Sequence, residues 1–316
     1  MNDLPFLLKK FSIKMFADDT TISHSEKDLE TVLANFQLSF NILKDWCFYN
    51  KVDINWSKTF CMIFTKRNII APETIHLCGI EIKVVKEISL LGFMIDHNLN
   101  FSKQACSIAL AVNKKLFSIK RLFFLSTSVK VQFFKTFILP YFDYSSTLLC
   151  YFSKEAIIKL AKSYYFSIFK LFKFKFESKN FNDVNNFLEK YGLYAFQHRF
   201  LERMLSFSFK SLFFHNSPEN LKNIFLKNDS RNFSYNLRNS ANLIEPMAKT
   251  NSGEKTFGYF YSRLINSFVI KRSMLKFATF KLSIYNNINL IFIDFVKKFK
   301  KFDMNLSMFF CFQNNR

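Results

Sequence analysis

Two aspartates stand side by side in the run Phe16-Ala17-Asp18-Asp19. Adjacent carboxylates after a short apolar strand concentrate negative charge at one point, which suits a hard divalent cation such as Mg²⁺ or Mn²⁺. Neighbouring like charges raise each other's pKa, and a bound cation reverses that by favouring the ionised forms. Residues i and i+1 of an extended strand point to opposite faces, so both reach one ion only if a turn falls between them. Asp18 is then the main ligand and Asp19 its helper. Adjacent aspartates also suit hairpin turns for conformational reasons alone, and on these two residues both readings stand. The cysteines offer no rival site. Cys47, Cys61, Cys78, Cys106, Cys150 and Cys311 are scattered without a CxxC pair, and His76 and Cys78 lack the second pair that zinc needs. They read as buried, reduced thiols.

The elements that must position the aspartates are legible nearby. Ser12–Ala17 and Thr20–Ser23 have strand character around an Asp18-Asp19 turn, which predicts a hairpin. A helix is expected from about Ser25, with Asp28 as a capping-box partner. Its apolar stripe is Leu29, Val32, Leu33, Phe36, Phe40, Leu43 and Cys47. Strands are expected at Thr59–Phe64, at Ile75–Val84 with a Cys78-Gly79 bend, and at Ile88–Ile95, followed by a turn at Asp96–Asn100. Helical periodicity then dominates: Ser102–Phe124, Val129–Tyr144, Glu155–Phe174 and Phe187–Phe214. An Asn/Ser-rich stretch of low periodicity runs from His215 to about Asn251, before one or two more helices. The fold class is α+β, divided into 1–101, a helical 102–214, and a weakly ordered and then basic helical 215–316.

The chain has 316 residues, 49% of them hydrophobic, with only 5 Gly and 5 Pro, which excludes a disordered, linker-like or collagen-like chain. Its 45 Lys+Arg against 24 Asp+Glu give a net charge of +21. Phe, Lys and Asn are all encoded by A/T-rich codons, so distribution says more than totals. Residues 1–60 carry seven basic and eight acidic side chains. Residues 114–175 carry twelve and two, and residues 263–301 nine and one. An acidic module followed by cationic helices suits contact with a phosphate backbone, with Lys114, Lys115, Lys120 and Arg121 as the candidates; the same lysines also serve simply to solvate helix faces. No run of eighteen apolar residues is free of charge, and the N-terminus does not read as a signal peptide, so an intracellular protein of nucleus or cytoplasm is expected.

An ordered series of short motifs surrounds the aspartates: Asn2-Asp3-Leu4-Pro5, Phe16-Ala17-Asp18-Asp19-Thr20, Asn55-Trp56-Ser57-Lys58-Thr59 and Leu90-Leu91-Gly92-Phe93. In this order they resemble the latter half of the palm of a non-LTR retrotransposon reverse transcriptase of the Jockey-like group. Leu139–Ser146 and Lys255–Tyr259 resemble its thumb and tail more loosely. The resemblance implies a partial palm with a primer-grip hairpin over 1–101, a thumb over 102–214 and a basic tail. It implies RNA-templated DNA synthesis by two-metal nucleotidyl transfer, with RNA template, DNA primer and deoxynucleoside triphosphates as partners. Asp18 and Asp19 would hold Mg²⁺ or Mn²⁺. Lys58 would protonate or neutralise the departing pyrophosphate. Leu91 and Gly92 would seat the primer end, although a Gly in a strand also marks an ordinary bend.

The family's first palm motif, with its aspartate, and its fingers would lie upstream of Asn2, so this chain is expected not to polymerise alone. Ile291–Phe299 superficially resembles that first motif, but Asp294 reads as a polar residue of a basic helix. Two other readings remain: a non-catalytic nucleic-acid-binding module, and an inert relic of a degraded element.

Overall fold

A computed structural model describes residues 3–65, 70–118, 124–144, 146–172, 181–225, 243–250, 253–267 and 276–303. The protein is mixed α+β, mostly helical, with three small sheets among the described residues. Its contacts separate two compact units: Met1–Ser89 with Asp96–Asn98, and Leu90–Ile95 with Leu99–Arg316.

The first unit is built along one helix. A single turn, α1 (Leu4–Leu7), leads into the antiparallel pair β1 (Ser12–Phe16) and β2 (Asp19–Ser23). Helix α2 (Leu29–Asn50) follows. It starts four residues later than periodicity suggests, because Asp28 is itself the cap: its carboxylate accepts the Thr31 amide at 2.7 Å and the Thr31 hydroxyl at 2.9 Å. One part of α2 supplies Leu43, Trp46 and Cys47 to a core closed by Leu4, Leu8, Ile13, Met15 and Ile22. Another supplies Leu33, Phe36 and Phe40 to a second core with Ile75, Leu77 and Ile82. Each such large side chain removed from water contributes on the order of 1.5–3 kcal/mol.

That second core belongs to a sheet of order β3-β5-β4, made by β3 (Phe60–Cys61), β4 (Thr74–Leu77) and β5 (Ile80–Val84), with β3 parallel to β5. The Cys78-Gly79 bend is a two-residue hairpin turn with both φ positive, +52° and +77°. β6 (Glu87–Leu90) and β7 (Phe93–Asp96) form a separate hairpin whose tip groups with the helical unit.

The second unit has one large core. Helix α3 (Ser102–Ser118) packs on α6 (Lys154–Phe172), and α8 (Phe196–Phe213) packs on α11 (Phe277–Lys298). Among the described residues between α3 and α6, α4 (Thr127–Phe133), a π segment Phe134–Ile138 and α5 (Leu139–Tyr144) form a continuous helical run, followed by a 3₁₀ turn at Ser146–Leu148. The π segment precedes Pro140, which has no N–H to donate; the ladder widens so that the Leu139 amide bonds the Phe134 carbonyl.

The helix expected over Phe187–Phe214 is two helices, α7 (Phe181–Lys190) and α8. They are parted at Gly192, φ +60°, where the Leu193 amide bonds the Leu188 carbonyl at 2.7 Å and the Gly192 amide bonds that of Glu189 at 3.1 Å, a left-handed helix stop. Beyond residue 214 come α9 (Glu219–Ile224), α10 (Phe257–Ser267) and α11. Phe260, Tyr261, Phe280, Ile284 and Phe295 share the core of α6 and α8, so that core continues across residue 214.

Of the cysteines expected to be buried, Cys47 and Cys150 are. Cys61, on the edge strand β3, Cys78, at a turn, and Cys106, on the flank of α3, are half-buried. Cys311 lies outside the described residues. Among the described residues no helix is long and apolar enough to cross a membrane.

Candidate functional site

The β1–β2 hairpin pairs Phe16 with Asp19, so the turn is Ala17-Asp18, one residue earlier than the sequence suggests. Ala17 takes the left-handed conformation, φ +51°, that such a tight connection requires. Ile13, Met15 and Ile22 anchor the base of the hairpin against α2, and the Trp46 indole donates to the Asp3 carboxylate at 3.0 Å. That bond holds the Asp3 carboxyl below its ordinary pKa.

Asp18 and Asp19 therefore stand exposed, at or beside the turn of a rigidly based hairpin. Among the described residues no group of three or more His, Cys, Asp or Glu side chains gathers to hold a metal. The donor type fits a hard cation, but two neighbouring carboxylates fall short of a two-ion centre.

Lys58 closes a 3₁₀ turn, Trp56–Lys58, and is exposed. Asn55 organises this turn. Its carbonyl accepts the Lys58 amide at 3.1 Å and the Thr59 hydroxyl at 2.9 Å, and its side-chain oxygen accepts the Ser57 hydroxyl at 2.7 Å. Trp56 meets Phe40 with ring centroids 6.0 Å apart. The sequence Asn55–Thr59 thus makes a turn pinned to α2, from which the chain enters β3.

Leu91 and Gly92 form the tip of the β6–β7 hairpin, with φ of +50° and +75°. Within the second unit this tip is held from two sides. The Tyr144 hydroxyl of α5 donates to the Leu91 carbonyl at 2.5 Å, and the Met94 amide donates to the buried Gln104 side chain of α3 at 2.8 Å. Phe93 is buried against Phe101 and Phe152. A Cβ on Gly92 would meet nothing within 4 Å, so what Gly supplies there is backbone conformation and open space above the turn.

Of the backbone-contact candidates, Lys114 is exposed on α3, and Lys115 is half-buried with its ammonium 5.7 Å from the Phe137 ring centroid. Lys120 and Arg121 lie outside the described residues. Asp294 is exposed on α11, 3.4 Å from Lys297.

Sequence reasoning missed a half-buried charge cluster. Asp143 of α5 accepts Arg199 Nε at 2.9 Å and Nη2 at 2.6 Å, and Arg203 at 2.5 Å, both from α8. Burial pushes the Asp143 carboxyl up, but the hydrogen bonds and charges of the two arginines outweigh it and hold the pKa below the usual range. Glu202, 1% exposed, lies 3.5 Å from both Arg199 and Lys281 and accepts the Ser206 hydroxyl at 3.0 Å. The available signal was two arginines four residues apart around a Glu on an otherwise apolar helix face.

No protein family, curated protein or solved structure compared with this chain matches it.

Proposed function

We propose that the chain is a C-terminal portion of a non-LTR retrotransposon reverse transcriptase: late palm, primer-grip hairpin, thumb and basic tail. One observation supports this reading above the others. The elements follow in the order of the motifs: a hairpin with adjacent carboxylates at its tip, a helix, a turn carrying Lys58 that feeds a strand, and a second hairpin with Leu91-Gly92 at its tip. In the complete enzyme Asp18 and Asp19 would be metal ligands, Lys58 would face the departing pyrophosphate, and Leu91-Gly92 the primer end.

The 316-residue chain by itself is expected to extend no primer on an RNA template with Mg²⁺, since two carboxylates do not make the two-ion site. Extension by this chain, abolished by Asp18→Asn, would overturn that expectation. The wider reading is tested by following the transcript's frame upstream of Met1. An open frame encoding an aromatic-rich strand with an aspartate, and then a Gln-Gly segment, supports it. The longer protein should then polymerise and lose activity with Asp18→Asn. A transcript that begins here, or a frame broken by stops, removes the catalytic reading.

The charge distribution favours a second reading, a non-catalytic module that grips nucleic-acid backbone. Residues 114–175 hold twelve basic side chains against two acidic ones, and Lys114 is free to face solvent from α3.

A further inference from the structure

Helices α3 and α6 bring together a thiol and an amine, Cys106 Sγ and Lys159 Nζ, at 2.7 Å. That is the short end of the N–H···O range, although sulfur is a larger acceptor than oxygen. The two helices are tightly packed around the pair. Ala105 and Ile108 beside Cys106, and Ala156 and Leu160 beside Lys159, are all at most 5% exposed. Cys106 itself is half-buried and Lys159 is exposed, so a small oxidant reaches the pair while the backbones that carry it stay fixed.

We propose that Cys106 and Lys159 form an oxidative modification site, at which one oxygen atom becomes a covalent bridge from Lys159 Nζ to Cys106 Sγ. This inference is independent of the polymerase reading. The oxidant is a peroxide. In the first step the S–H and O–O bonds break and an S–O bond forms, giving the sulfenic acid and one water. In the second, the neutral amine bonds to the sulfenyl oxygen. The O–H bond and one N–H bond break, and a second peroxide accepts two electrons and leaves as two waters. One oxygen remains between nitrogen and sulfur, and thiol reductants return the four electrons, releasing thiol, amine and water. A direct S–N bond would require the two side chains to close much further, whereas a single oxygen bridges the separation already present. The bridge would close a loop from residue 106 to 159 and restrict the unfolded chain.

The test is to treat the full chain with hydrogen peroxide, digest it without reductant and identify cross-linked peptides by mass. The expected product joins the Cys106 and Lys159 peptides with one oxygen gained and two hydrogens lost. It should vanish on reduction, be absent from Lys159→Arg and persist in Lys162→Arg. In the unfolding curve, peroxide should raise the midpoint of the unsubstituted chain and leave Lys159→Arg unmoved. Sulfenic or sulfinic acid on Cys106 beside an unmodified Lys159 would overturn the proposal, as would a link that lacks the oxygen.

Discussion

Asp143 is the carboxylate that ties α5 to α8 in the helical unit. Two guanidinium groups are aimed at one half-enclosed carboxylate, so its removal leaves both cations under-satisfied. Asp143→Ala should destabilise the fold by about 3 kcal/mol, measured by denaturant unfolding, and Asp143→Asn by somewhat less. The sign of the pH effect follows from the lowered pKa. The folded carboxylate ionises more readily than the unfolded one, so its contribution is present above the ordinary value of 3.8 and is lost as pH falls through the lowered value.

His198 works in a different window. Burial, with Phe292 against its ring at 5.2 Å, pushes its pKa down from 6.5 to about 4. The unfolded chain therefore binds a proton that the folded chain refuses between those values, and stability falls as pH drops from 6.5 to 4, by about 3 kcal/mol in all. His198→Leu should flatten that part of the profile, as followed by thermal unfolding at a series of pH values. Neither residue stood out in the sequence. A lone His and a lone Asp carry no pattern, and their partners lie on other helices.

At the scale of elements, starts and stops are decided by single side chains. The helix break at Gly192 separates α7 from α8 and lets α8 present Arg199 and Arg203 toward Asp143. Gly192→Ala should cost about 1 kcal/mol, because an L side chain resists φ +60° while the nearest neighbour, the Lys135 ammonium, stands 3.9 Å away and presents no clash. Equilibrium unfolding with an unchanged m-value would check this, and a cost below a few tenths of a kcal/mol would contradict it. Periodicity joins the two helices because the apolar spacing carries through the break; the glycine is the local notice of it. The π segment before Pro140 was hidden for the same reason, since side-chain spacing reveals a helix face and not its hydrogen-bond ladder.

At the scale of the molecule, the chain divides into a small α+β unit with nearly balanced charge and a large cationic helical unit. On the proposed reading of this unit as a grip on nucleic-acid backbone, binding to duplex should be independent of sequence and weaken steeply with salt. Replacing Lys114 and Lys115 together by Ala should reduce the slope of log K against log salt by about two. Equal slopes, measured by fluorescence anisotropy, would place the contact elsewhere.

The sequence by itself determined the class of fold, the hairpin that bears Asp18 and Asp19, the spine helix α2 and the change of charge along the chain. These are local properties, set by residue type, spacing and turn chemistry within a few positions. Only the tertiary structure decided that Tyr144 and Gln104 hold the Leu91-Gly92 hairpin from two helices, that Asp143 meets Arg199 and Arg203, and that Cys106 meets Lys159. Those pairings span up to sixty positions and follow from how helix faces pack, which no local pattern encodes.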